Sequence, residues 1–263
     1  MKKFYVIGNP ISHSLSPKIF DYFFNTLKIN AQYSSKCIKD RQEFISFIKA
    51  TKNDTSGYNI TSPYKGIAYE VVDDIDKSAI KNGSVNCIKV LDNKLIGYNT
   101  DEYGFSTMLD LNMIKLDKKN ILILGYGKAA EIIVDYISKS TKSNLLIHGR
   151  NEKKIKLFMN RFSNKNIQIF DNQFAEVDIV INCLSTKIKN KDFNSLLNSL
   201  SSYVVDVFID LNYININLDQ ILVKKYISGI DMLIYQAYKS FNIWFNNRYQ
   251  NELNFLEIKK AIK

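Results

Sequence analysis

The sequence predicts an α/β protein of two domains: an N-terminal α/β domain, then a Rossmann-type, doubly wound domain. Three observations lead there. Strand and helix patterns alternate through the first hundred residues. An unbroken apolar run, Ile121 to Leu124, ends in a glycine turn, Gly125-Tyr-Gly127, that opens a helix. Strand and helix patterns then alternate again, the sequence form of a doubly wound sheet. The chain has 263 residues, enough for two modest domains.

Phe4 to Ile7 reads as a strand. Pro17 to Leu27 reads as a helix, with Ser16 as its N-cap and Pro17 at its first position. Ala31 to Ile38 reads as a strand and Asp40 to Ala50 as a helix. Tyr58 to Thr61 is a short strand that stops at Pro63. Ser84 to Leu91 and Lys94 to Tyr98 form a hairpin through Asp92-Asn93. A helix runs from Asp101 towards Leu111. Beyond the glycine turn come a helix from Lys128 to Ser138, a strand from Asn144 to His148 and a helix from Glu152 to Phe162. Strands follow at Val177 to Asn182 and Tyr203 to Phe208. The last fifty residues read as mainly helical, with Met232 to Phe245 the strongest segment.

Composition narrows the function classes. The chain is 46% hydrophobic and 24% charged, in the globular range. It has no apolar run of membrane-spanning length, and the N-terminus lacks the apolar core of a signal peptide, so a cytoplasmic protein is expected. The three cysteines, Cys37, Cys87 and Cys183, form no CxxC or Cys/His cluster and are expected to be buried free thiols. With only His13 and His148, no imidazole metal site is expected. The net charge of +10 comes mostly from scattered lysines, without an Arg-rich segment. That pattern fits a solvated basic surface that attracts anionic ligands better than a nucleic-acid groove.

Four segments carry chemistry. Gly8-Asn-Pro-Ile-Ser-His-Ser14-Leu-Ser16-Pro17 follows the first strand, and its helix start offers backbone N–H groups to a carboxylate. Ser14 and Ser16 share a face of this loop, and Ser16 serves as cap, as ligand, or both. Asn59-Ile-Thr61-Ser-Pro-Tyr-Lys65 places an amide, a hydroxyl and an ammonium on one turn. Gly97-Tyr-Asn-Thr-Asp101-Glu-Tyr-Gly104 adds a carboxylate, and Asn86 places an amide in an apolar strand, where it must find partners. A Lys–Asp pair suits carbonyl/alcohol interconversion. All three prolines, Pro10, Pro17 and Pro63, lie in the first two segments and hold these loops in shape. The fourth segment is the turn Gly125-Tyr126-Gly127-Lys128-Ala129, which suits a dinucleotide pyrophosphate. At the end of the next strand, Arg150 stands where an acidic residue would favour NAD. Its guanidinium suits a 2′-phosphate, with Asn151 and Lys153 nearby. Lys128 either reaches a phosphate or points to solvent.

These segments resemble the shikimate dehydrogenase family along nearly the whole chain. Gly8 to Pro17 is similar to its substrate-carboxylate loop, and Asn59 to Lys65 to its Asn-Val-Thr-x-Pro-x-Lys motif. Gly83-Ser-Val-Asn86 resembles Gly-Ala-Val-Asn, and Asn99-Thr-Asp101-x-x-Gly104-Phe resembles Asn-Thr-Asp-x-x-Gly-Phe. Gly229-Ile-Asp-Met232-Leu-Ile-Tyr-Gln236-Ala is similar to Gly-x-x-Met-Leu-x-x-Gln-Ala. The resemblance implies reversible NADPH-dependent reduction of 3-dehydroshikimate to shikimate, a step towards chorismate and the aromatic amino acids. It implies that Ser14, Ser16 and Thr61 hold the substrate carboxylate. Lys65, Asn86, Asp101 and Gln236 would contact the ring hydroxyls, with Lys65 and Asp101 as the catalytic pair. On the cofactor side it implies Gly125, Tyr126, Gly127, Lys128 and Ala129 at the turn, Arg150 and Asn151 at the next strand end, and Gly229.

The resemblance also implies a substrate-binding domain over residues 1–102, completed by helices at 236–263, and an NADP-binding domain over 103–235, with a cleft between them. No metal, nucleic acid or membrane partner is implied, and the protein would be a monomer or homodimer. The sequence departs from the family mainly on the cofactor side. Tyr126 and Lys128 replace small residues of the turn, and Asn-Arg-Thr becomes Gly149-Arg150-Asn151. Asn-Ala-Thr-Ser is matched in part by Asn182-Cys-Leu-Ser185, and Asp-x-x-Tyr-x-Pro becomes Asp206-Val-Phe-Ile209-Asp-Leu211. Two other readings stay open: a dehydrogenase acting on quinate or a related acid, and an NADP-binding regulatory protein without turnover.

Overall fold

The computed structural model describes residues 1–162, 166–171, 176–184, 197–212, 217–250 and 252–262. The chain divides into two compact units. Unit 1 comprises Met1–Phe105 and Asp231–Lys263, and unit 2 comprises Ser106–Ile230.

In unit 1 the elements run β1 (Lys2–Gly8), α1 (Ser16–Thr26), β2 (Ala31–Cys37), α2 (Arg41–Thr51), β3 (Gly57–Ile60), α3 (Lys65–Val71), β4 (Asp74–Ile75), α4 (Lys77–Ile80), β5 (Cys87–Leu91), β6 (Lys94–Tyr98) and the start of α5 (Asp101–Leu111). Unit 2 continues with β7 (Asn120–Leu124), α6 (Lys128–Ser140), β8 (Asn144–His148), α7 (Glu152–Met159), β9 (Ile167–Ile169), β10 (Ile179–Asn182), β11 (Val204–Asp210) and β12 (Leu222–Ser228). The chain returns to unit 1 at the start of α8 (Ile230–Trp244) and ends in α9 (Phe255–Ala261).

The sheet of unit 1 has the order β2-β1-β3-β5-β6-β4. β1 is parallel to β2 and β3, while β5 is antiparallel to β3 and β6. Alternation along β1 sends side chains to two faces. Ile7 joins Ile38, Phe44, Ile48 and Tyr58 in a core backed by α2 and α3. Phe4 joins an aromatic layer with α1 and α8, stacking on Trp244 at 4.6 Å, while Phe20 stacks on Tyr33 at 4.2 Å. Gly57 is what lets Trp244 lie flat on the sheet: a Cβ there would run into the indole, whose Nε1 donates to the Ile88 carbonyl at 2.9 Å.

The sheet of unit 2 is parallel throughout, with the order β12-β11-β10-β7-β8-β9. Numbered from its own first strand, this is the order 3-2-1-4-5-6 of a doubly wound nucleotide fold, with the topological switch between β7 and β10. Ile121 to Leu124 are fully buried, as an apolar run in a parallel sheet requires.

Several expectations need correction. Ser16 is not the N-cap of α1: Leu15 occupies that position without a side-chain cap, and Ser16 is the first helical residue. The Ser14 hydroxyl accepts the Ser16 N–H at 3.3 Å instead, so one serine of the loop orders the other. The last fifty residues include the seven-residue strand β12, whose Lys224-Lys225 pair on a sheet edge breaks the apolar pattern. Helix α7 stops at Met159 rather than Phe162. Of the three cysteines only Cys87 is buried; Cys37, at the end of an edge strand, is exposed and Cys183 is intermediate. Among the described residues no helix is long and apolar enough to cross a membrane, and no group of three His, Cys, Asp or Glu side chains is placed to hold a metal ion.

Two stability effects are expected. Gly57→Ala forces the Trp244 indole off its seat and should cost about 1–3 kcal/mol of unfolding free energy, read by denaturant melts. His148 ends β8, edge-on to Phe170 at 6.1 Å, and burial pushes its imidazole below the ordinary value of 6.5. On acidification the unfolded chain takes up a proton that the folded chain resists. Stability is therefore complete above about 6.5 and is lost as pH falls towards the lowered folded value. His148→Gln should flatten the thermal midpoint against pH between about pH 7 and 5, where wild type declines.

Candidate active site

The candidate site in unit 1 is built where β3, the β6–α5 junction and α8 meet. β3 ends at Ile60, and the Tyr64 N–H closes the turn on the Thr61 carbonyl at 3.0 Å. The turn places Lys65 at the first position of α3. An ammonium there faces the positive end of the helix, an arrangement that helix electrostatics disfavours by roughly 0.3–1 kcal/mol. Asp101, the first residue of α5, offsets it. Lys65 Nζ lies 2.6 Å from Asp101 Oδ2, with side-chain exposures of 15% and 4%. So little water reaches the pair that each charge depends on the other, and removing one leaves a buried charge uncompensated.

Asn86 fixes the carboxylate from the other side. Its Nδ2 donates to Asp101 Oδ1 at 2.8 Å and to Gln236 Oε1 at 3.1 Å, and its Oδ1 accepts the Thr100 N–H at 2.8 Å. Asn99 accepts the Asp101 N–H at 3.0 Å and donates to the Ser84 carbonyl at 2.8 Å. The buried amide expected to need partners thus finds them in the residues singled out with it. Gly104 explains how Gln236 arrives: a Cβ there would lie 2.6 Å from the Met232 carbonyl oxygen, so only glycine lets α5 and α8 approach this closely.

The serine loop lies against the same turn. Thr61 N–H donates to the Ile7 carbonyl at 2.9 Å, and Asn9 N–H to the Ser62 carbonyl at 3.1 Å. Gly8 admits the Thr61 methyl group where a Cβ would otherwise stand. Peptide bonds Asn9-Pro10 and Ser62-Pro63 are both cis. Ser16 is buried and Ser14 half-buried.

The dinucleotide residues lie in unit 2. Gly125, just after β7, has φ +106°, and its α-carbon faces the Cys183 carbonyl after β10 so closely that a Cβ would lie 3.2 Å away. This is the topological switch, where such folds take their ligands. Gly127 caps α6 without a side-chain bond, and among the described residues nothing stands within 4 Å of where its Cβ would be. A glycine at this position leaves the backbone N–H groups that open the thirteen-residue helix without a side chain of its own in the way, as a pyrophosphate needs. Arg150 is exposed just past the carboxyl end of β8, the position that meets the ribose of a dinucleotide. The residues present thus fit NADP.

Other cofactor-side residues have structural work as well. Asn151 caps α7 by accepting the Lys154 N–H at 3.0 Å. Lys128 forms an ion pair with Glu131 at 3.1 Å, so the choice between phosphate and solvent omitted its neighbour one helical turn away. Tyr126 lies over Gly149, whose Cβ would be 2.5 Å from the ring; the two departures from the family pattern fit each other. Gly229 lets the end of β12 pass Leu211 and gives its N–H to the Asp210 carbonyl at 2.7 Å. Ile209 is buried in β11, and the Asp210 carboxylate accepts from Asn182 and from the Tyr226 hydroxyl, each at 3.0 Å. Ser185 lies outside the described residues. Sequence reasoning singled out neither Tyr33 nor Ser240, which are ordinary residue types for a strand and a helix.

Comparison with known proteins points to one family. Residues 6–88 match the shikimate dehydrogenase substrate binding domain family, and residues 108–217 match the shikimate/quinate 5-dehydrogenase family. A shikimate dehydrogenase (NADP(+)) of Staphylococcus haemolyticus is 32% identical over 99% of this chain and 97% of its own. The crystal structure of shikimate dehydrogenase 1 from Peptoclostridium difficile is 26% identical, with a TM-score of 0.81 over 99% of this chain and 98% of that one. A shikimate dehydrogenase crystallised with NADP+ is 28% identical, with a TM-score of 0.80 over 100% of this chain and 94% of that one. With both of its family matches in order and a relative aligned along nearly its full length, this chain belongs to the shikimate dehydrogenase family.

Proposed function

We propose that this protein is a cytoplasmic NADP-dependent shikimate dehydrogenase that interconverts 3-dehydroshikimate and shikimate on the route to chorismate and the aromatic amino acids. Unit 1 binds the acid and unit 2 the dinucleotide. The observation that carries the reading is the Lys65–Asp101 ion pair, tied through Asn86 to Gln236. It joins a mobile proton to a fixed set of donors and acceptors suited to a polyhydroxylated ring.

When bound, NADPH supplies the hydride. The chain's own residues do the rest. Ser14, Ser16 and Thr61, on loops joined by the Asn9–Ser62 and Ile7–Thr61 backbone bonds, receive the carboxylate. Asn86 and Gln236 contact the ring hydroxyls. As negative charge develops on the carbonyl oxygen, the Lys65 ammonium stabilises it and holds the proton to be transferred. An ionised Asp101 is acceptor-only, so in the ion pair the protons sit on Nζ. Asp101 orients Lys65 and accepts from a substrate hydroxyl. Gly125, Gly127 and the first turn of α6, with Tyr126, Lys128 and Ala129 around them, cradle the pyrophosphate. Arg150 and Asn151 meet the 2′-phosphate, and Gly229 holds the β12 end in place.

The reading is tested by following NADPH consumption by the purified protein on addition of 3-dehydroshikimate, with 3-dehydroquinate in parallel. Turnover of 3-dehydroshikimate is expected. Turnover of 3-dehydroquinate alone would transfer the assignment to a quinate dehydrogenase, and NADPH binding with no turnover of either acid would overturn it. Asp101→Asn should lower kcat by roughly 10²- to 10⁴-fold while leaving the NADPH Kd unchanged. Arg150→Ala should weaken NADPH binding roughly 10- to 100-fold and leave NADH binding nearly unchanged, since only the former offers a second charged phosphate at the ribose.

A further inference from the structure

Asn59 lies in β3, behind the catalytic pair, with its amide engaged on three sides by the protein. Its Oδ1 accepts from the Tyr33 hydroxyl at 2.9 Å. Its Nδ2 donates to Ser240 Oγ at 2.9 Å and to the Asn86 carbonyl oxygen at 3.2 Å. That carbonyl also accepts the Ile60 N–H at 2.8 Å, so the main chain of Asn86 is pinned twice from β3. Ser240, on α8, bonds to the Gln236 carbonyl at 3.0 Å and lies 3.4 Å from Thr100 Oγ1. Thr100 immediately precedes Asp101 and gives its N–H to the side chain of Asn86.

A continuous path therefore runs from Tyr33 through Asn59 to Asn86 and the Asp101 carboxylate, with a branch through Ser240 to Thr100. Its outer members are firmly seated. Ser240 is wholly buried, and Tyr33 is 5% exposed with its ring parallel to Phe20. Burial also holds the Tyr33 phenol well above its ordinary range, so the hydroxyl stays a donor. Neither side chain bonds to Lys65 or Asp101; each reaches the pair only through the intervening amide or Thr100. A donor, Tyr33, and an acceptor, Ser240, on separate elements converge on one amide and over-determine its orientation, which is how a supporting shell fixes a reactive group.

We propose that Tyr33 and Ser240 are positioning residues for the dehydrogenase reaction, acting through Asn59 to hold Asn86 and hence the Asp101 carboxylate in its working geometry. The inference rests on the proposed function and adds residues to which that reading assigned no role. Tyr33→Phe keeps the ring stack and Ser240→Ala keeps the helix, so each removes one hydroxyl and little else.

The test is steady-state kinetics of wild type, Tyr33→Phe and Ser240→Ala with 3-dehydroshikimate and NADPH, alongside thermal melts. Each variant should lose roughly 5- to 20-fold in kcat, with little change in the KM for the acid and a near-wild-type melt. The decisive readout is a double-mutant cycle. Tyr33→Phe combined with Asn59→Ala should lose less than the product of the two single losses, because Tyr33 reaches the catalytic pair through that amide, although its hydroxyl also lies against Ser16. If Asn59→Ala does not fold, Tyr33→Phe combined with Ser240→Ala replaces it, and the shared amide predicts a combined loss smaller than the product of the two. Unchanged kcat in both single variants, or losses that multiply in the cycle, would overturn the proposal. An inactive wild type would instead remove the parent reading, and this inference with it.

Discussion

The site in unit 1 depends on keeping Lys65 and Asp101 together with little access to water. A buried ion pair gives little net stability, since desolvating both charges offsets their attraction, yet breaking it is costly. It persists where the surroundings satisfy the remaining lone pairs and protons. Asn86 does so for the carboxylate, with Thr100 and Asn99 fixing the backbone on either side. The lysine sits at a helix start that would ordinarily prefer an acid, and the pairing aspartate starts another helix, where an acid belongs. The unfavourable placement of Lys65 thus coincides with the residue proposed to have a chemical task, as is common at functional sites.

Unit 2 solves a different problem, which is to bring backbone close to a phosphate-rich ligand. Its strand order puts the switch point at β7 and β10, and Gly125 and Gly127 keep side chains out of that point. The departures from the family pattern are packed rather than loose. Tyr126 occupies space that Gly149 vacates, and Ile209 is buried in β11.

The sequence made the site legible because its residues carry strong local signals. Pro63 marks a turn, and Asn86 in an apolar strand announces a partner. The alternating apolar pattern and the glycine turn were enough for the fold class. What escaped was whatever depends on tertiary neighbours. β12 was read as helical territory because Lys224 and Lys225 sit on a sheet edge, where solvent tolerates charge. Ser16 looked like a cap because its type and place fit, but the helix begins one residue earlier and the hydroxyl is buried. Tyr33 and Ser240 gave no local signal, since a tyrosine in a strand and a serine in a helix are ordinary until folding brings both to Asn59.

The central claim is that Lys65 acts in the chemical step itself. A single-turnover experiment tests it most directly: the enzyme–NADPH complex is mixed with excess 3-dehydroshikimate, and the hydride-transfer rate is compared in wild type and Lys65→Ala. The account predicts a hydride step slowed by roughly 10²- to 10⁴-fold, with NADPH still bound and the full amplitude eventually reached. A hydride step at the wild-type rate in the variant would contradict it.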